Sequence, residues 1–315
     1  MHRPARANLR RFGLPILVGL AILGFLVGVE LFRAHLAANP LGDVRAYYDA
    51  GARLNAGVPL YDQPATTDEA AFYRYPPLLA ILFRPLALLP FESAALIWEA
   101  LVVVTFGLML LHLGVQRMRT WLLVGFLGLA IGWSLAIGQA QVPVTYLVAL
   151  GTPFSIALAG QLKLLPALVA VWWIGRRDWR SLRRFVGWSA GLVAVQLVLE
   201  PAGTLAYPAT LGLQQVGEVR NWSPYAISPW LWAGLLVVGF VLAIRLAPGR
   251  YGWAAAVALS ILAAPRLLFY QLMTLLAAAR EPATADATSS ATASATPLAI
   301  RSMPGASGAA GGTTR

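Results

Sequence analysis

What most limits the folds open to this chain is a series of long apolar runs whose ends carry arginine. Leu14 to Leu36 is the first, preceded by Arg3, Arg6, Arg10 and Arg11 and closing on Glu30, Arg33 and His35. It exceeds the apolar core of a signal peptide, no small-residue cleavage site follows it, and its length suits a retained transmembrane helix. Four arginines ahead of it place the N-terminus in the cytoplasm. The chain is 58% hydrophobic and 12% charged, against about 25% charged for ordinary soluble domains. An all-α, polytopic membrane protein with one membrane domain follows. Its net charge of +11 belongs to arginine-rich cytoplasmic loops and implies no nucleic-acid partner. Cysteine is absent, and His2, His35 and His112 stand in unrelated settings, so neither disulfide nor thiol chemistry nor a metal centre is expected.

In chain order, a first external loop covers 37–77. Leu78 to Pro90, interrupted by Arg84 and Pro85, is too short to cross and reads as an interfacial helix. Spans are expected from Ser93 to Leu113, Trp121 to Ile137, and Pro143 to about Leu158, the last broken at Gly151-Thr152-Pro153. Lys163 and Pro166 interrupt the apolar run from Pro153 to Ile174. Arginines follow at 176, 177, 180, 183 and 184, so crossing parity asks for a re-entrant hairpin or paired half-helices there. Phe185 to Leu199, Trp230 to Leu246 and Trp253 to about Ala278 complete the set, the last with Pro265-Arg266 in its middle. The total is about seven full spans plus the hairpin and the interfacial helix. Residues 1–279 form the membrane domain. Residues 280–315, rich in Ala, Thr, Ser, Gly and Pro, read as a disordered tail with nothing to bury.

The first external loop concentrates polarity. Asp43, Asp49, Asp62, Asp68 and Glu69 are five of thirteen acidic residues; the second long loop, Ala202 to Pro229, adds Glu218, Arg220 and Asn221. A carboxylate at the rim of a membrane cavity can act as general base when burial and nearby charge set its pKa. Asp43 is the candidate, with Arg45 to hold it ionised and Tyr47 and Tyr48 to shape a sugar surface; the alternative is a helix cap. Lys163 either faces a wet cavity, where it can meet a lipid phosphate, or snorkels to the interface. Arg266 and Arg74 invite the same pair of readings, with Tyr75 beside Arg74 as an interface anchor. Gln139 and Gln141 either contact a sugar or satisfy backbone groups. No phosphate-cradling glycine loop, nucleophile elbow or metal-ligand cluster occurs, which argues against a soluble nucleotide-dependent enzyme.

The order of these motifs resembles glycosyltransferase family 87. Gly42-Asp43 precedes Tyr47-Tyr48, then Gly57 with Leu60-Tyr61, Tyr75-Pro76-Pro77, Pro85-Leu86 and Leu89-Pro90. Trp98, Gly138-Gln139, Lys163 with Pro166, the Arg176-Arg177-Asp178-Trp179 end, and Pro265 with Tyr270 follow in the family's order. The resemblance implies a GT-C membrane fold and an inverting transfer of a hexose, mannose first, from a polyprenyl-phosphate sugar to an envelope lipid or glycan. It also implies an external, periplasmic site in the cytoplasmic membrane, with Asp43 as base and with Lys163, then Arg266, stabilising the departing phosphate. The lipid-linked sugar would be a substrate, and no cofactor or metal is called for. The chain departs from the family pattern at Ala140-Gln141, at Gln271 and in the shortened loop before Lys163. Its tail stands where relatives carry further helices, as a truncated homologue's would. A transporter or flippase of a lipid-linked molecule is the alternative from another class, although no internal repeat is visible.

Overall fold

The computed structural model describes residues 5–38, 41–62, 72–211 and 221–282. Asp68, Glu69, Glu218, Arg220 and the tail from 283 onward lie outside the described residues. Every regular element among those described is helical, as a chain in lipid requires when each backbone group must find its partner within the protein. Long helices α1 (Ala5–Ala38), α4 (Phe91–Leu113), α10 (Trp179–Leu199) and α12 (Pro229–Leu246) contain the spans. Between α1 and α4 lie α2 (Gly42–Asn55) and α3 (Pro77–Phe83). Next come α5 (Met118–Phe126), α6 (Gly128–Ala136), α7 (Gln141–Leu150), α8 (Pro153–Leu162) and α9 (Val171–Arg176). The short helix α11 (Pro201–Thr210) follows α10, and α13 (Gly252–Leu262) follows α12. Two 3₁₀ helices, Leu165–Ala170 and Phe269–Ala279, complete the set that matters here.

Four helices among the described residues are long and apolar enough to cross a membrane, and a fifth is counted when α5 and α6, bent by 67° at their junction, are taken as one span. The chain is a multi-pass membrane protein. The shortfall from seven has a local cause. The stretch from Pro143 to Leu158 divides at Gly151, whose φ of +61° ends α7, and the Thr152/Ser155 capping box starts α8 at Pro153. The stretch from Trp253 to Ala278 folds back on itself. Trp253 Nε1 donates to the Ala277 carbonyl at 2.8 Å, so α13 and the 3₁₀ helix after it are antiparallel legs. Their turn falls at Pro265–Leu268, where Asn221 donates to the Pro265 carbonyl and accepts from Leu267 N–H, both at 2.9 Å. At Lys163 the apolar run breaks between α8 and the 3₁₀ helix that leads into α9, with Gly160 packed against Ala167.

These short helices share one basic end. Arg280 donates to the His112 carbonyl, Arg176 pairs with Glu281 at 3.3 Å, Gly151 meets Pro282, and Gly175 meets Ile244 and Ala247. Residues 280–282, expected in the tail, are therefore part of the packed unit. At the other end, Trp98 donates to the Gly138 carbonyl at 2.7 Å. The Leu41 and Asp43 amides donate to the Ala136 and Ile137 carbonyls at 3.1 and 3.2 Å. The start of α2 is thus docked on the end of α6. Helix α3, expected at the interface, packs Leu78, Leu79, Ala80 and Phe83 inward against α2 and α8. Along α1, Ala21, Gly24 and Gly28 meet Gly125, Gly128 and Gly132 backbone to backbone, a close approach that small residues allow.

Candidate functional site

A cavity of about 430 Å³ opens where the short helices end. Asp43, Arg74, Tyr75, Lys163 and Arg266 line it together with His35, Trp133, Gln141 and Tyr270. Residues separated by more than two hundred positions meet there because α7, α8, α13 and both 3₁₀ helices each bring one terminus to the cavity.

Asp43 occupies the first turn of α2, where the helix dipole favours a carboxylate. It does not cap that helix: the N-cap is Leu41, held at φ 59°, with no side-chain cap bond. Instead, its Oδ2 accepts from Gln139 Nε2. The Gln139 amide is oriented from behind by Tyr47, whose hydroxyl donates to Oε1 at 2.6 Å, and Tyr75 lies within 3.4 Å of the same oxygen. Burial pushes the Asp43 carboxyl up to about 7, against the pull of Lys163 and Arg74 in the other direction.

Lys163 sits at the end of α8. Its Nζ donates to Gln141 Oε1 at 2.9 Å, and Gln141 Nε2 donates to Thr274 Oγ1 at 2.6 Å. The ammonium also stands 5.0 Å from the ring centroids of Tyr75 and Tyr270, a cation held between two π faces. No ion pair joins it directly to Asp43 among the described residues. An anion and a cation therefore face one cavity, each fixed by its own glutamine, and the two glutamines are two residues apart in the chain. Such a site can take a proton at one wall and receive negative charge at the other.

Three residues expected at the site stand elsewhere or act differently. Arg45 lies 4.3 Å over the Phe91 ring and is not among the cations that act on Asp43. Tyr48 packs on Phe91 and donates to the Leu89 carbonyl at 2.7 Å. Both follow from the helical period, which turns these positions away from the face bearing Asp43. Tyr47 is fully buried, so it offers no surface to a sugar and reaches the site through Gln139. Gln141, expected to contact a sugar or satisfy backbone groups, instead joins Lys163 to Thr274, and nothing in the sequence ties Thr274 to Lys163. His35 and Trp133 on the cavity wall were also missed as a pair.

Comparison with known proteins gives the arrangement its kin. The chain is 28% identical over 200 residues to a polyprenol-phosphate-mannose-dependent alpha-(1-2)-phosphatidylinositol pentamannoside mannosyltransferase of Mycolicibacterium smegmatis, with 57% of this chain and 47% of that protein covered. It thus spans about half the length of that relative. No solved structure matches it. The model of glycosyltransferase family 87 matches residues 72–300, a region that holds every cavity cation named above and begins after Asp43. With most of its length inside that match, the chain belongs to glycosyltransferase family 87.

Proposed function

We propose that this protein is a membrane glycosyltransferase that moves a hexose, mannose in the first instance, from a polyprenyl-phosphate sugar to a lipid or glycan acceptor. The arginine-rich end faces the cytoplasm by the positive-inside rule, so the cavity opens on the periplasmic side of the cytoplasmic membrane. The acceptor hydroxyl attacks the anomeric carbon from the face opposite the phosphate, and its proton passes to the Asp43 carboxylate. The bond from the anomeric carbon to the phosphate oxygen breaks, its electron pair stays on that oxygen, and the configuration inverts. Lys163, with Arg74 and Arg266 on the same walls, meets the charge that gathers on the departing polyprenyl phosphate. The donor is a substrate, and no cofactor enters the scheme.

The observation that supports this proposal is that Asp43 and Lys163 line one cavity with no ion pair between them among the described residues, each held by its own amide. A flippase has no need of a general base. Asp43→Asn keeps the size of the side chain and removes the base. Transfer of labelled mannose from polyprenyl-phosphate-mannose in membranes should fall by about 10³-fold at unchanged protein level. Transfer at the wild-type rate would remove Asp43 from the mechanism. Lipid translocation without transfer in the unaltered protein would favour the flippase.

A further inference from the structure

Helices α1 and α6 give the cavity two lining groups that the proposed transfer does not use. His35 lies in the last turn of α1, and its Nδ1 is 3.0 Å from the Leu31 carbonyl. A carbonyl oxygen can only accept, so Nδ1 bears the proton and neutral His35 presents Nε2 as a bare acceptor. No protein donor among the described residues meets Nε2, and the side chain lines the cavity. Its ring lies 5.5 Å from that of Trp133, which lines the same cavity and packs edge-on against Tyr270 at 5.9 Å. Tyr270 in turn flanks Lys163. An indole offers an apolar face and one N–H donor, and the Trp133 indole N–H has no acceptor among the described residues.

We propose that His35 and Trp133 form the pyranose subsite of this cavity, Trp133 as the platform for the sugar's C–H face and His35 Nε2 as acceptor for one sugar hydroxyl. This rests on the glycosyltransferase proposal and adds where the sugar sits. His35 lies three residues before the end of the span at Ala38, the depth at which a lipid-linked sugar emerges from the hydrocarbon. The phosphate then lies toward Lys163, one aromatic ring further along the wall, and the His35–Trp133 pair reads the sugar independently of the charge.

The test compares two probes, polyprenyl-phosphate-mannose and bare polyprenyl phosphate, binding the full-length protein in nanodiscs. The unaltered protein should prefer the sugar-bearing lipid. His35→Phe keeps a ring against Trp133 and removes the acceptor. That preference should fall by about fivefold, the worth of one neutral hydrogen bond, with binding of bare polyprenyl phosphate unchanged. His35→Gln, which returns an amide oxygen near the place of Nε2, should recover part of it. Equal binding of both probes by the unaltered protein, or an undiminished preference in His35→Phe, overturns the subsite. Loss of both probes together in His35→Phe also overturns it, because the residue would then serve folding. Failure of transfer with the preference intact would instead count against the catalytic proposal alone.

Discussion

The long helices and the short ones obey different rules. Only 6% of the span windows of α10 and α12 and 11% of that of α1 is buried within the protein. Their outward residues meet lipid tails as apolar as themselves, so at those positions the sequence needs to be hydrophobic and little else. The short helices are more enclosed, and three of them meet the cavity at a break: Gly138 before α7, Lys163 after α8, Pro265 after α13. A break frees backbone groups and turns side chains inward, and in lipid it is tolerated only where protein or a wet cavity takes it up. The spans hold the molecule in the bilayer, and the interruptions hold the site.

If that division is right, a single change at a break should outweigh any change on a lipid face. Lys163→Ala should cost about 10²-fold in transfer, seen mainly in the donor's KM and kcat with the acceptor's KM little changed. Equal loss toward both substrates would point to a folding role. The second effect is one of pH. Asp43 must be ionised to accept a proton, and its pKa is raised to about 7. Transfer, as kcat/KM, should therefore fall about tenfold per unit below pH 7; burial also lowers the Lys163 ammonium to about 7, so transfer should fall again above it as the cation is lost. Lys163 pulls that pKa downward, so in Lys163→Ala the midpoint should move up. A flat profile between pH 5 and 8 would take Asp43 out of the titrating role. The smallest effect belongs to the other region. Val198 on α10 is 81% exposed, and Val198→Ala should leave transfer and thermal stability within about twofold. A large loss there would mean that α10 has a protein partner and does not simply face lipid.

Much of this was legible in the sequence, for physical reasons that differ by region. Apolar runs ending in arginine report long spans directly, so α1, α4, α10 and α12 fall close to where hydropathy sets them. The short helices are as apolar as the spans, and hydropathy cannot tell one helix from two that fold back. Pro265 and Gly151 marked the breaks but not the reversal of direction, which depends on Asn221 holding the turn from a distant loop. Asp43 and Lys163 stood out because charge in such a chain is scarce. Their supports did not, because Tyr47, Gln139, Gln141 and Thr274 are common residue types whose meaning lies in contacts across as many as 133 positions. Arg45 and Tyr48 were drawn toward the site by proximity in sequence, which one turn of helix undoes.

The glycine seam between α1 and the α5–α6 pair has a consequence for how this protein can vary. Where two backbones touch, there is no side chain to trade for another: even a methyl at Gly24, Gly28, Gly128 or Gly132 would fall on main-chain atoms of the opposite helix. A scan of every substitution along the chain should therefore find two kinds of intolerant position. One set surrounds Asp43 and Lys163; the other is a narrow line of glycines that touch no substrate, intolerant because nothing smaller exists to put there.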